Sequence, residues 1–169
     1  IYGAAVYAPP LDAAVKLLKF SGRRRLAGPM AQLMAAFAES EMDCDACEAI
    51  VPVPLHKVRL RDRGFNQSAL LAGLLAPVFG KAAVLPALRR VRPTRTQSLL
   101  TSPEERRRNV AGAFALGGDA TLDNKTVLLL DDVVTTGETV GECARVLLEG
   151  GAKRVVVFAC ALAGPAGGA

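Results

Sequence analysis

Residues 127–139 decide the fold: Val127-Leu-Leu-Leu-Asp131-Asp132-Val-Val-Thr-Thr-Gly-Glu-Thr139. The aliphatic run at its start predicts a strand buried on both faces, which is typical of parallel sheets. Two acids follow where we expect this strand to end, and then come a loop of small polar residues and a helix. The loop N–H groups and the helix dipole favour a phosphate, while the adjacent carboxylates can accept hydrogen bonds from two neighbouring hydroxyls and help to hold a divalent cation. The stretch predicts a sugar-phosphate site, and the plainer alternative is a buried strand with an acidic turn.

This stretch resembles the 13-residue phosphoribosyl pyrophosphate (PRPP) motif of type I phosphoribosyltransferases. The resemblance implies that Asp131 and Asp132 are the catalytic acids and face the ribose 2′ and 3′ hydroxyls. It also implies a substrate-binding loop around the 5′-phosphate. That loop comprises Val133, Val134, Thr135, Thr136, Gly137, Glu138 and Thr139.

The composition is that of a folded domain with an uneven charge distribution. The chain has 169 residues, a net charge of +5 and 51% hydrophobic residues, and no apolar run approaches the roughly 20 residues of a membrane span. Most cations lie between Lys57 and Arg108, which indicates an anionic partner. Four irregularly spaced cysteines do not suggest a secreted disulfide framework, and the lone Cys44-x-x-Cys47 lacks a second pair of zinc ligands. We therefore expect a reduced, cytoplasmic protein.

The order of turn signals and apolar runs predicts an α/β fold with a mostly parallel central sheet and helices on both faces. Strands are expected at 2–7, 49–54, within 84–91, and at 113–116, 126–130 and 155–162. Helices are expected from 11 to about 21, at 26–39, 68–78 and 137–148, and after Ser102, where Ser-Pro-Glu-Glu predicts a capping box. We expect a single domain over 1–169, with N-terminal elements and a hood over 1–48, a core over 49–163 and a frayed tail over 164–169.

The second informative segment runs from Val51 to Gln67, where a strand enters a proline-restricted turn followed by alternating cations. The diphosphate of PRPP needs fixed donors and positive charge at close range. By resemblance to the transferases, the loop that holds it would be Val53, Pro54, Leu55, His56 and Lys57. Arg59, Arg61 and Arg63 are further basic candidates, and the alternative for each is a solvated basic helix face.

Pro52-Val-Pro-Leu-His56 followed by Arg61-Asp-Arg-Gly-Phe-Asn-Gln67 resembles the ComF family, the phosphoribosyltransferase-like proteins associated with bacterial competence. The early Lys19-Phe-Ser-Gly22 and the middle segments 96–99 and 106–114 are similar to the same family. Members commonly begin with a four-cysteine zinc finger, which does not precede Ile1. We therefore expect the sequence to be the inner part of a longer protein.

The resemblance also implies a flexible loop that closes over the site, on which we place Thr94, Arg95, Thr96 and Gln97. Closure would exclude water from an oxocarbenium-like centre. His56 is the only histidine, and we assign it a loop or anion-binding role because the reaction is mainly positional and electrostatic.

The leading hypothesis is a PRPP-binding protein of the ComF type that transfers a phosphoribosyl group from Mg²⁺-PRPP to a nitrogenous acceptor, with Mg²⁺ held through PRPP near the acid pair. Its ligand would be PRPP or a nucleoside monophosphate, and a homodimer is compatible with it. The alternative is a non-catalytic protein that binds nucleotides or single-stranded DNA in DNA uptake or recombination, with competence or recombination proteins as partners. A third reading, the glutamine-dependent PRPP amidotransferases, ranks lower because no glutaminase domain accompanies the motif.

Overall fold

The structure, a computed structural model, describes residues 1–94, 102–118 and 121–163. Its strands are β1 (Tyr2–Val6), β2 (Ala49–Pro52), β3 (Ala83–Val84), β4 (Leu88–Arg90), β5 (Phe114–Leu116), β6 (Thr126–Val134) and β7 (Arg154–Leu162). Its α-helices are α1 (Leu11–Phe20), α2 (Ala27–Glu41), α3 (Lys57–Arg63), α4 (Gln67–Leu75), α5 (Pro103–Val110) and α6 (Glu138–Glu149). Short 3₁₀ helices occupy Arg24–Leu26, Cys44–Ala46 and Ala76–Phe79.

The described strands form one parallel sheet and a small ribbon. The sheet has the order β1-β7-β6-β2-β3, and every pairing in it is parallel. The strands β4 and β5 pair antiparallel in the separate ribbon. The predicted α/β architecture with a mostly parallel sheet is therefore confirmed.

Alternate residues of β6 face two different layers of the protein. Leu128 and Leu130 pack in a core with residues of α1, α2 and α4, whereas Val127 and Leu129 pack in a second core with residues of α6. All four side chains are fully buried. Successive side chains of a strand point to opposite faces, so a strand covered on both sides needs a continuous apolar run.

A crevice forms where the chain leaves two neighbouring strands in opposite directions. From β2 the chain passes through α3 and α4 to β3 at one edge of the sheet, and from β6 it passes through α6 to β7 on the other side. The loops that follow β2 and β6 therefore diverge at the carboxyl end of the sheet, which is where open α/β sheets bind ligands.

The prediction that the central strand ends at Leu130 is wrong, because β6 continues through Val134 and includes both acids. The reason is that β7 runs beside it for the whole length. Asp131 lies opposite Ala159, and Val134 lies opposite Leu162. These neighbours keep the backbone hydrogen bonds of the strand satisfied, so the acids are residues of the strand and not of a turn.

Two other segments differ from the predicted elements. Residues 57–63, where alternating cations were expected after a proline-restricted turn with a basic helix face as the alternative, form the helix α3. This helix ends at Gly64 in the left-handed conformation (φ 77°). The strand expected within 84–91 is two strands, since β3 belongs to the sheet and β4 to the ribbon. Pro86, which lacks a backbone N–H, lies between them and cannot continue a ladder.

The N-terminal residues are part of the same core as the rest of the sheet. The strand β1 pairs with β7, and Val15, Leu18 and Met34 are buried with Leu128. The predicted capping box is present, since the Ser102 hydroxyl accepts from the backbone of Glu105. The tail 164–169 lies outside the described residues. Across the described ranges, no helix is both long and apolar enough to cross a membrane.

We predict that Leu128→Ala lowers the free energy of unfolding by about 2–5 kcal/mol, because it leaves a cavity in a fully buried position. Urea denaturation measures the change. Leu148→Ala is the matched control, since Leu148 on α6 is 47% exposed and its truncation should cost about 0.5 kcal/mol or less. Equal losses in the two variants would contradict the assignment of Leu128 to the central core.

Candidate functional site

Asp131 lies at the carboxyl end of β6, where the crevice between β2 and β6 opens. The residue is buried, with 9% of its surface exposed. One oxygen, Oδ1, accepts a hydrogen bond of 2.9 Å from the Ser68 hydroxyl at the start of α4 and another of 2.9 Å from the backbone N–H of Asp132. The first acid is therefore held in one orientation by α4 and by its own strand.

Asp132 is more deeply buried, at 2% exposure, and is held by two different helices. The Lys19 ammonium, near the end of α1, lies 2.6 Å from its Oδ2 atom. The Gln67 side-chain amide of α4 donates to Oδ1 over 3.4 Å. A buried carboxylate requires such compensation, because without partners it would be far less stable ionised.

Burial raises the pKa of Asp131 to about 7, and the neighbouring carboxylate of Asp132 adds to the rise. The Lys19 charge and the hydrogen bond from Ser68 oppose it. Two adjacent acids in a low-dielectric site resist simultaneous ionisation. A pKa of this kind in a cleft is typical of functional carboxylates, because structure alone gives little reason to bury them.

The predicted phosphate loop joins the acid pair to α6. Thr135 and Thr136 are exposed, and Gly137 adopts φ 81°, a left-handed conformation that favours glycine. The helix α6 begins at Glu138, so the N–H groups of its first turn face the crevice end of the sheet. Val133 and Val134 are the last residues of β6, and Thr139 lies in the first turn of α6.

The residues predicted for the diphosphate loop divide into two groups. Val53, Pro54 and Leu55 line the cleft. His56 is buried and caps α3, with its Nδ1 accepting from the backbone N–H of Val58 over 3.4 Å, so its observed contact is structural. Lys57 is exposed on the first turn of α3.

The cleft that contains these groups has a volume of about 1090 Å³. Of the basic candidates on α3, Arg59 and Arg63 line it, whereas Arg61 is 79% exposed beside Asp62. Sequence reasoning gave no site role to four other cations that line the cleft. These are Lys16, Lys19, Arg90 and Arg106.

Arg90 is the most buried of these arginines, and it joins two parts of the cleft. It lies on β4, and its backbone forms an isolated parallel β-bridge with that of His56. Its guanidinium lies 5.2 Å from the centre of the Phe114 ring. Burial lowers the pKa of its guanidinium. Its Nε has no hydrogen-bond partner within the described parts of the chain, which suits a group that meets an anion.

The predicted flexible loop is described only at its start. Thr94 lines the cleft and its hydroxyl contacts the Arg90 guanidinium. Arg95, Thr96 and Gln97 lie outside the described residues.

The donor set fits a ribose better than a metal held by the protein. Among the described residues no group of three or more His, Cys, Asp or Glu side chains could hold a metal ion. Within the acid pair, Ser68, Gln67 and Lys19 already use part of the carboxylate oxygens.

The fold, the acid pair and the loop that follows it define a phosphoribosyltransferase-like domain, and the comparisons with known proteins agree. A phosphoribosyl transferase domain family matches residues 66–169. DNA utilization protein YhgH of Salmonella typhimurium is 40% identical over 155 residues, which are 90% of this chain and 67% of that protein. Competence protein F of Haemophilus influenzae is 32% identical over 161 residues, which are 93% of this chain and 70% of that protein.

Among solved structures, a hypoxanthine phosphoribosyltransferase from Staphylococcus aureus matches with a TM-score of 0.43 and 14% identity, over 80% of this chain and 62% of that chain. The chain belongs to the ComF family of phosphoribosyltransferase-like proteins, as its motifs predicted.

We predict that Asp131→Asn raises the free energy of unfolding at pH 8 by at least about 1 kcal/mol, one pKa unit being about 1.4 kcal/mol. The pKa of Asp131 is about 7 in the folded protein, against an ordinary value of 3.8. As the pH rises through this window, the unfolded chain ionises first, so the wild type loses stability. The gain should shrink as the pH falls and vanish only well below pH 3.8, where the carboxyl is protonated in both states.

Urea denaturation at pH 5 and pH 8 measures this difference. Asp62→Asn is the control, since Asp62 has an exposed side chain and its replacement should give no comparable pH dependence. An Asp131→Asn protein that is less stable than the wild type at pH 8 would disprove the raised pKa.

Proposed function

We propose that this chain binds Mg²⁺-PRPP in the crevice between β2 and β6 and transfers its phosphoribosyl group to a nitrogenous acceptor. In this reaction the acceptor nitrogen forms a bond to C1 of the ribose and releases a proton to solvent. The C1–oxygen bond to the diphosphate breaks, and its electron pair leaves with pyrophosphate. The observation that carries the proposal is the buried acid pair followed directly by a loop at a helix N-terminus.

The acid pair supports the recognition of a ribose. Asp131 and Asp132 are adjacent, oriented carboxylates whose remaining lone pairs can accept from two neighbouring hydroxyls. Hydrogen bonds to an ionised acceptor are stronger than neutral ones. The pair thus supplies a reason for the ligand to be a vicinal diol and not a simple phosphate.

Two anionic groups of the ligand have matching surroundings. The 5′-phosphate would lie on the loop 135–139, where N–H groups of the first turn of α6 have no partner inside the helix. The diphosphate would lie against Val53–Leu55, near Arg59, Arg63 and Arg90. Positive charge at that point would stabilise pyrophosphate as it leaves, and Mg²⁺ carried on the diphosphate would offset more of its charge.

The acceptor side of the cleft has one exposed aromatic ring. Phe20 is 77% exposed and lines the cleft, with the Arg63 guanidinium 5.6 Å from its ring centre. The ring and the guanidinium offer a flat surface in the same cleft as the acids, which suits a planar nitrogenous acceptor.

We also propose a cytoplasmic location, because all four cysteines are free and three of them are buried. A homodimer remains a prediction.

We predict that the wild type binds PRPP in calorimetric titrations with Mg²⁺ and that the Asp131→Asn/Asp132→Asn variant binds at least tenfold more weakly. Each lost hydrogen bond to a charged group is worth about 1.5–3 kcal/mol, and about 1.4 kcal/mol is a factor of ten. Titration without Mg²⁺ tests whether the metal enters with the ligand.

Asp62→Asn is the control for a lost cleft carboxylate that faces solvent, and it should keep its affinity within about threefold. Unchanged affinity in a folded double variant would remove the ribose assignment. Failure of a folded wild type to bind PRPP at all would make the motif a scaffold and favour the second candidate.

The second candidate is a non-catalytic protein that binds single-stranded DNA. The relatives named for DNA utilization and competence favour it. So do four exposed arginines next in sequence to the cleft residues Gly22 and Asp62, namely Arg23, Arg24, Arg25 and Arg61. The two groups are connected, since the Arg24 guanidinium donates to the backbone carbonyl of Gly64 at the end of α3 over 3.0 Å. Cations facing a phosphate backbone would give strongly salt-dependent binding.

We predict that binding of labelled single-stranded DNA, measured by fluorescence anisotropy between 50 and 200 mM salt, weakens with a slope of about 0.7 per phosphate contact. Arg23→Gln/Arg25→Gln should lower that slope by up to about 1.4. Lys153→Gln/Arg154→Gln makes the same charge change at the opposite, amino-terminal end of β7 and should leave the slope unchanged. Absence of binding at low salt would exclude this function for the chain.

A further inference from the structure

Lys19, one of the cations that line the cleft, forms an ion pair with one of the two acids. The Lys19 ammonium is already paired with a carboxylate of the protein, since its Nζ lies 2.6 Å from Oδ2 of Asp132. Its side chain is 22% exposed and that of Asp132 is 3% exposed. The attraction in a charged pair this short and this well shielded from solvent is screened less by salt than that in a surface ion pair.

The geometry explains why this lysine can reach the acid. Asp132 has the same parity along β6 as Leu128 and Leu130, whose side chains face the layer of α1 and α4. Lys19 follows Leu18, a fully buried residue of α1, and so starts from the edge of that packed layer. The apolar contact of α1 with the sheet thus delivers the ammonium to the acid.

The protein itself uses part of the hydrogen-bonding capacity of Asp132, and the remainder is open to a ligand. A carboxylate has about four acceptor sites. Gln67 donates a hydrogen bond to Oδ1, and the Lys19 ammonium forms an ion pair with Oδ2, which accepts no hydrogen bond from the described residues. The carboxylate is therefore held at both oxygens, and acceptor sites remain for a ligand. A neutral hydroxyl can use such a site, whereas a second cation would be repelled by the ammonium.

We infer that Lys19 is a positioning residue that holds the Asp132 carboxylate for a sugar hydroxyl and so sets the preference of the site for ligands with a ribose diol. This inference rests on the proposed function, since it assigns a role within the same ribose site. Lys19 also opposes the rise in the pKa of Asp131, which favours the ionised form that accepts most strongly from hydroxyls.

The test compares two ligands that differ only in the diol. Ribose 5-phosphate and 2,3-dideoxyribose 5-phosphate share the phosphate, and calorimetry gives the ratio of their dissociation constants for each variant. The wild type should prefer ribose 5-phosphate by about tenfold or more. Lys19→Met should remove most of that preference while the affinity for the dideoxy ligand stays within about threefold, and Lys19→Arg should restore part of it.

Lys16→Met is the matched control. Lys16 lies on the same helix and lines the same cleft, but its ammonium pairs with Asp12 over 2.9 Å. Its loss removes the same charge and should not change the preference for the diol. A purely electrostatic role of Lys19 would instead weaken both ligands equally in Lys19→Met, and that result would overturn the inference.

A double variant shows whether Lys19 acts through Asp132. It also keeps the inference testable if Lys19→Met alone fails to fold. Lys19→Met/Asp132→Asn removes both members of the buried pair and leaves no unpaired charge. The preference in this variant should equal that of Asp132→Asn alone, because Lys19 has nothing left to position. A further loss of preference would overturn the inference.

The outcomes for the wild type separate this inference from the proposed function. A folded wild type that binds neither ligand, nor PRPP, would overturn both. Binding of the two ligands with equal affinity would overturn the inference and leave a phosphate site. A diol preference that Lys19→Met retains would overturn the role of Lys19 alone and leave the proposed function standing.

Discussion

The structure depends on the burial of two adjacent carboxylates inside its central strand. Such a strand forms only if its backbone and both acids find partners away from water. The backbone partners come from β7, which runs beside β6 up to Leu162. The side-chain partners come from α1 and α4, through Lys19, Ser68 and Gln67. The same helices also pack the apolar core on that face, so the site and the core share their supports.

Much of the fold was readable because its signals are local. The aliphatic run of β6 has no polar face, and in a chain of this length only a strand between two layers needs that pattern. The capping box at Ser102 involves residues three apart, so the sequence contains both partners. The loop before α6 was predictable for the same reason, since its small polar residues and the helix start that follows them are consecutive in the sequence.

The remaining features of the fold and the site could not be predicted, because they depend on contacts between residues that are far apart in the sequence. The end of β6 is set by how far β7 continues, and the sequence of β6 alone contains no such information. The position of His56 predicted a loop or anion-binding role, and only the structure shows that its ring also caps α3. Lys19 was part of a quoted motif without a role, because its partner is Asp132, in a different element. In the sequence Arg90 is indistinguishable from its basic neighbours, and only the pairing of β4 with β5 places it over Phe114.

The difference between these two groups of residues has a physical basis that bears on function. A phosphate can be held by backbone N–H groups, which any short loop supplies at little cost in stability. Recognition of a diol requires ionised acids, and in a buried site these acids weaken the fold unless distant donors compensate them. Asp131 shows the cost directly, since burial raises its pKa to about 7. A pair of acids kept under that cost, with donors from two helices directed at it, is better explained by a ligand than by packing.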